Sequence, residues 1–411
     1  VPNRPLPDAH LFLVLEEYFN GYSREIKPII ASVTKSITSI LMGIALDRQM
    51  IGSIDQRVYE FFPEYKGTRW IDRKYDITVE HVLTMTAGVD WDEITFLHPD
   101  PRNPNTLMYT SDHPIGYVLD RKQIDPPGSR WRYSSGLTLL LGGILKNATG
   151  VYADKFAEQY LFEPMGITDY LWLKHPDGTI YVHGDLFLKP RDMAKIGYLM
   201  LNQGQWQNRQ IVSHAWIKAS TGKHIETFKG YGYGYQWRCG KTLICDQEIE
   251  AFWASGTGGQ KIYVFPKLDL IVVFTSKIFG NDSGHERNGA MLADFIIPAV
   301  VSPGYKPRAI ALDNTVLDTY AGEYKINHEK VLIPEFMKTL RFQVFREGNK
   351  LYFKAPDGQS VQLIPQSKDL FHGTLKDIGQ ARFRIIRDEQ GVVKQVRRHI
   401  GFRTVLLDKV R

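Results

Sequence analysis

At Pro303-Gly304 the chain changes character, and that change fixes its organisation. Upstream, apolar residues recur at helical spacing. Val33, Ile37, Ile40, Leu41, Ile44 and Ala45 line one stripe of a helix predicted over Ser32–Met50, with Gly52 as its stop signal. Similar patterns run over Leu137–Asn147, Val151–Leu161, Arg191–Asn202 and Asn288–Val300, and Thr78 is an N-cap for a helix start at 78–87. Strands are expected at Leu11–Phe19, ahead of the Asn20-Gly21 turn, and at Tyr231–Trp237. A hairpin is expected where Ile262–Phe265 and Leu270–Phe274 flank Pro266-Lys267-Leu268-Asp269. Downstream, short β-rich runs (Leu340–Phe345, Lys350–Phe353, Arg382–Ile386, Val392–Val396, Thr404–Leu407) are separated by turns. The pattern predicts an α/β domain over residues 1–305 and an all-β barrel or sandwich over 306–411.

With 411 residues and 43% hydrophobic content, the chain can build both cores. No apolar run approaches the roughly 20 residues of a membrane helix. The formal charge of +6 is uneven: Lys306–Arg411 holds 20 Lys and Arg against 12 Asp and Glu. No five like charges run together there, so the excess reads as a solvated basic surface, with no nucleic-acid partner expected. Val1 opens the chain with neither an initiator Met nor a signal peptide, as in a processed chain. Cys239 and Cys245 flank Gly240-Lys241-Thr242, read as a hairpin turn; they are either bridged across it or two buried thiols. Neither they nor the scattered histidines form a metal motif.

Three segments carry candidate chemistry. Ser32-Val33-Thr34-Lys35 opens the first long helix, so positions i and i+3 share a face. A first-turn Ser keeps its own N–H free of helix partners and available to an oxyanion, while a neutral lysine amine takes the Ser proton. A second copy, Ser220-Thr221-Gly222-Lys223, contains a helix-breaking glycine at an apparent helix end, so context favours Ser32. Tyr133-Ser134-Ser135-Gly136 follows the Pro126-Pro127-Gly128 turn and enters a helix. Ala254-Ser255-Gly256-Thr257-Gly258-Gly259-Gln260 precedes a strand, and its glycines permit close approach by a ligand.

In this order, S-x-x-K, Y-x-S and a Gly-rich edge strand resemble the serine β-lactamase and penicillin-recognising family. The likeness is to its class C β-lactamase-like branch, which includes family VIII carboxylesterases, D-aminopeptidases and nylon-oligomer hydrolases. His81-Val82-Leu83-Thr84-Met85-Thr86-Ala87-Gly88 and Phe187-Leu188-Lys189-Pro190-Arg191-Asp192-Met193-Ala194 are similar to further segments of that branch. The resemblance spans roughly residues 11–300. It implies an antiparallel sheet flanked by helices, with a helical lobe between Ser32 and the C-terminal strands. It further implies Ser32 as the acylated nucleophile, Lys35 as its base, Tyr133 as a proton shuttle, and the N–H groups of Ser32 and Thr257 as an oxyanion hole. Tyr109, Ser135, Ser255, Gly256, Gly258 and Gly259 are assigned to substrate binding, with no metal or other cofactor. Export to the periplasm or beyond is the expected location.

Ser135 stands where β-lactamases of this branch carry Asn, and Ala254 where they carry Lys. Both changes favour a small ester or amide substrate over a β-lactam. Lys261 is set aside because an odd offset of seven from Ala254 along one regular strand points it to the opposite face. The rival expectations are a penicillin-recognising sensor that acylates once, which multiple turnover of a simple ester excludes, and a true β-lactamase.

Overall fold

In the computed structural model the residues described are 12–65, 77–96, 98–245, 247–278, 283–303, 309–328, 335–375, 379–400 and 403–410. The chain divides into two compact units. The first comprises Val1–Ile225, Tyr233–Cys239 and Ala251–Lys277; the second comprises Glu226–Gly232, Gly240–Glu250 and Ile278–Arg411. The helical stretch over 283–301 therefore belongs with the C-terminal strands rather than with the residues before it.

The first helix, Val33–Asp47, is buried along nearly its whole length, from Val33 to Ala45. Its Ser36 and Thr38 hydroxyls donate to the carbonyls of Gln236 and Val182, at 2.7 Å each, so its polar positions face partners and not solvent. Thr78 caps the Val79–Leu83 helix through a capping box with His81. Ser134 caps Ser135–Thr149 by accepting from the Leu137 N–H at 3.2 Å. Gln260–Phe265 and Leu270–Phe274 pair as the expected antiparallel hairpin, with Leu270 opposite Phe265. They form one side of a six-stranded sheet that continues through Gln247–Gly256, Arg238–Ile244, Gly232–Tyr233 and Ile225–Glu226.

Several local expectations are corrected. Over residues 12–19 no strand forms beyond an isolated bridge at Phe12. Glu16 is tied instead to Arg191 by two hydrogen bonds of 2.8 and 2.7 Å, and Val14 and Phe19 stay 73% and 70% exposed. Tyr231–Trp237 is interrupted because Gln236 adopts φ +61, leaving only Gly232–Tyr233 as strand. Gly240-Lys241-Thr242 lies inside the Arg238–Ile244 strand and is no turn. Cys239 and Cys245 are not joined by a disulfide. Six residues of extended chain hold them about 20 Å apart, far beyond disulfide reach. Residues 98–103 form turns, and the Pro104–Thr110 helix follows them, capped by Asn103.

The C-terminal strands close into an eight-stranded antiparallel barrel in chain order, from Gly322–Ile326 to Arg403–Lys409, which pairs back onto the first strand. Alternate residues fill the interior: Tyr324, Phe342, Phe353, Phe371 and Phe383 are 5% exposed or less. The Ser360–Ser367 and Leu370–Leu375 strands were missed by pattern because Pro365 sits at a register shift and Gly373 interrupts the apolar run.

Candidate active site

Ala31, immediately before the helix, holds φ +47, a conformation L side chains rarely adopt. It turns Ser32 onto the helix entrance. One turn later Lys35 is 2% exposed, and its Nζ donates to Ser32 Oγ at 3.0 Å and to the His183 carbonyl at 2.6 Å. The same Nζ lies 5.1 Å from the Tyr133 ring centroid, and Arg238 approaches that ring from 5.8 Å. The Ser134 cap fixes Tyr133 at the helix entry, half-buried.

The glycine-rich segment is a tight hairpin loop. Gly256 pairs with Gln260, and Thr257, Gly258 and Gly259 form the loop, with Gly258 and Gly259 at φ +86 and +98. A Cβ on Gly256 would lie 2.3 Å from the Ile30 carbonyl oxygen and 3.0 Å from the Ser32 nitrogen. The strand thus presses its backbone against the backbone of Ser32, which only glycine permits. Thr257, next in the chain, is exposed at the loop.

Ala254 and Lys261 belong to different strands of a hairpin, yet Lys261 points to the face opposite Ala254 as expected, because the residue opposite Ala254 is Ile262. Ser255 is directly opposite Lys261 in the register, so the two side chains share a face. Lys261 Nζ donates to Ser255 Oγ at 2.6 Å, and Arg238 Nη1 donates to the Ser255 carbonyl at 3.4 Å. A cation therefore sits beside Ser255, on the face of the sheet away from Ala254.

Ser135, assigned to substrate, is engaged within the protein. Its N–H and hydroxyl donate to the two oxygens of Glu93, at 2.9 and 2.8 Å, and Trp91 Nε1 donates to the same carboxylate at 2.6 Å. Tyr109 donates its hydroxyl to Asp185 and stacks near Tyr181 and His183, with centroids 4.8 and 5.2 Å away. Burial pushes the Asp185 carboxyl above its ordinary range, opposed by the Tyr109 hydrogen bond and the Lys35 charge. Burial, then the Asp185 carboxylate, push the Tyr109 hydroxyl up. Burial and Lys35 hold the His183 imidazole well below its usual range, so it is neutral. Ser220 of the second S-x-x-K copy is fully buried and donates to the Trp216 carbonyl at 2.7 Å, a helix back-bond with no access to substrate.

Glu93, Asp185, Lys261 and Arg238 were not singled out as site residues from sequence. Glu93 and Arg238 belong to no motif. Asp185 carried one usable signal, its place in His183-Gly184-Asp185 just ahead of the 187–194 segment. Among the described residues no cluster of His, Cys, Asp and Glu could hold a metal ion.

A family model described as Beta-lactamase matches residues 21–294. The 6-aminohexanoate-dimer hydrolase of Paenarthrobacter ureafaciens is 26% identical over 68% of this chain and 74% of its own length. The monacolin J acid methylbutanoyltransferase of Aspergillus terreus is 26% identical over 34% of this chain and 36% of its own. The octameric penicillin-binding protein homologue from Pyrococcus abyssi shares the fold over 94% of this chain and 89% of that one, with a TM-score of 0.50 at 18% identity.

Proposed function

The chain belongs to the beta-lactamase family, whose members matched here are hydrolases and acyltransferases, and from that premise we propose that it is a serine hydrolase cleaving small esters or amides through an acyl-enzyme on Ser32. The observation that carries this reading is the 3.0 Å contact of Ser32 Oγ with Lys35 Nζ at a helix entrance against which Gly256 is packed. Ser32 Oγ attacks the substrate carbonyl carbon as Lys35, once its ammonium has given up a proton, turns from donor to acceptor and takes the Ser32 proton. The developing oxyanion lies between the N–H groups of Ser32 and Thr257. Tyr133 delivers a proton to the departing alcohol or amine as the carbonyl re-forms and that bond breaks. Water then attacks the Ser32 ester, loses its proton to the same bases, and releases the acid.

The substrate side follows from two positions, Ala254 and Ser135. Ala254 brings no cation to its face of the strand, and Lys261, hydrogen-bonded to Ser255, lies on the opposite face, so a β-lactam carboxylate lacks a charged partner there. Ser135 also disfavours β-lactams: its hydroxyl is shorter than an Asn amide and already committed to Glu93. Short-chain esters and small amides are therefore the preferred class, with penicillins poorer.

The test is turnover of a nitrophenyl acetate by the wild type and by Ser32→Ala, alongside a D-amino-acid amide and a chromogenic cephalosporin. Ser32→Ala abolishes multiple turnover while the circular dichroism spectrum is unchanged. Full activity in that variant, or a single stoichiometric burst in the wild type, rejects the proposal.

A further inference from the structure

We propose that the barrel wall made by Leu370–Leu375, Gly379–Arg387 and Val393–Ile400 is a binding site for a phosphate-type oxyanion, formed by Arg382, Arg384 and Arg397 with His372 and His399. The register builds it. Arg382 is directly opposite His372 on one neighbouring strand and His399 on the other, and Arg384 is directly opposite Arg397. Phe371, Ala381, Phe383, Ile385 and Val396 fill the barrel interior, so by alternation the five basic residues face outward together. Cross-strand partners on one face have Cβ atoms about 4.5–5.5 Å apart, which brings three guanidinium groups and two imidazoles onto two adjacent rungs.

Like charges directly opposite one another repel, and an unpaired buried guanidinium is strongly unfavourable. Elsewhere on this barrel and the turn before it, arginines are paired: Arg346 with Asp318, Arg387 with Asp369, Arg341 with Glu323. Arg382, Arg384 and Arg397 form no ion pair with any described carboxylate. Yet Arg382 is only 8% exposed, although it faces out of the barrel. The Ser283–Met291 helix and the Leu292–Ile296 turn that follows pack against its strand. His372 Nδ1 is likewise buried without a hydrogen bond. Arg384 and Arg397 are exposed and give solvent access to this rung. Guanidinium forks match the geometry of a phosphate group, free or as a small monoester, and its two charges offset the repulsion. Burial, then Arg397, Arg384 and Arg382, hold the His399 imidazole down at about 4. A bound dianion raises it, which makes His399 a reporter.

The experiment titrates the full chain with inorganic phosphate, and separately with glycerol phosphate, against sodium chloride at matched ionic strength, following the His399 ring resonances by NMR. The expected result is a saturable shift with either phosphate, together with a higher His399 titration midpoint. The Arg384→Gln/Arg397→Gln double variant binds at least about tenfold more weakly, with nitrophenyl ester turnover unchanged. Saturation by the monoester alone keeps the site and names its ligand as a phosphorylated small molecule. Arg382→Met also loses the phosphate response, and without phosphate it melts no lower than the wild type. A response that follows ionic strength alone, equal affinity in the double variant, or a much lower melting point for Arg382→Met overturns the proposal.

Discussion

Replacing Gly256 by alanine isolates the contact on which the candidate site depends. The added methyl carbon would stand 2.3 Å from the Ile30 carbonyl oxygen, 3.0 Å from the Ser32 nitrogen and 3.1 Å from the Ala31 Cβ. A tolerable carbon–oxygen contact is about 3.3 Å, so strand and helix entrance have to separate by about 1 Å. All three atoms met are backbone or the short side chain of a strained residue, and none can swing aside as a long rotamer would. A misplacement of about 1 Å costs about 100-fold in rate, and loss of an oxyanion donor about 100- to 1,000-fold. The expected outcome is a fall of about 100-fold or more in kcat for a nitrophenyl ester, with KM much less affected. Overpacking also lowers stability by about 1–3 kcal/mol, too little to unfold a domain of this size. Stopped-flow acylation with a thermal melt on the same sample separates the two effects. Wild-type kcat in a folded Gly256→Ala protein would refute the placement of this strand against Ser32.

Gly43→Ala sets helix propensity against packing. Propensity favours alanine by about 1 kcal/mol, but the new Cβ would stand 2.4 Å from the Trp216 ring, and overpacking costs about 1–3 kcal/mol, so the variant is expected to melt several degrees lower; a higher melting point contradicts this. Acid should destabilise the barrel between pH 6.5 and about 4. His399 titrates near 4 in the folded state and near 6.5 unfolded, so across that window the unfolded chain binds more protons and stability falls as pH falls, by on the order of 3 kcal/mol. The buried His183 of the first unit acts in the same direction. Melts from pH 7 to pH 4 check it: His399→Gln should flatten the curve, and an unchanged slope refutes the assignment.

Much of the architecture was legible because it rests on periodicity and local chemistry. The Ser32 helix, the Thr78 cap and the Phe265–Leu270 hairpin each follow from a few consecutive residues. Ser32 and Lys35 met because a helix brings i and i+3 together. What could not be read depended on pairing across distance. Lys261 does point away from Ala254 as the odd offset implied, but across two strands and not along one, because the loop at Thr257–Gly259 turns the apparent strand into a hairpin and brings Ser255 against it. Ser135 looked free for substrate because its partner, Glu93, lies 42 residues away in a segment with no pattern. Leu11–Phe19 opens on a run of apolar residues that reads as a strand, but an apolar run names no partner.

Gln236, whose left-handed backbone broke an expected strand, also acts as a mechanical coupling. Its carbonyl accepts from Ser36 on the helix that carries Ser32, and its side-chain oxygen accepts from Thr138 on the helix behind Tyr133, at 2.8 Å. Its side-chain amide donates to the Val82 and Leu83 carbonyls at 3.2 and 2.8 Å, and its backbone N–H reaches Leu83 as well. Three segments far apart in the chain are referenced to a single residue. Ser32 and Tyr133, the proposed nucleophile and proton shuttle, therefore stand at the entrances of two helices tied to one residue, so a displacement of either helix strains a hydrogen bond shared with the other. Among the described residues neither the Glu93 segment nor the Thr257 loop hydrogen-bonds to Gln236, so a change in either leaves this linkage intact.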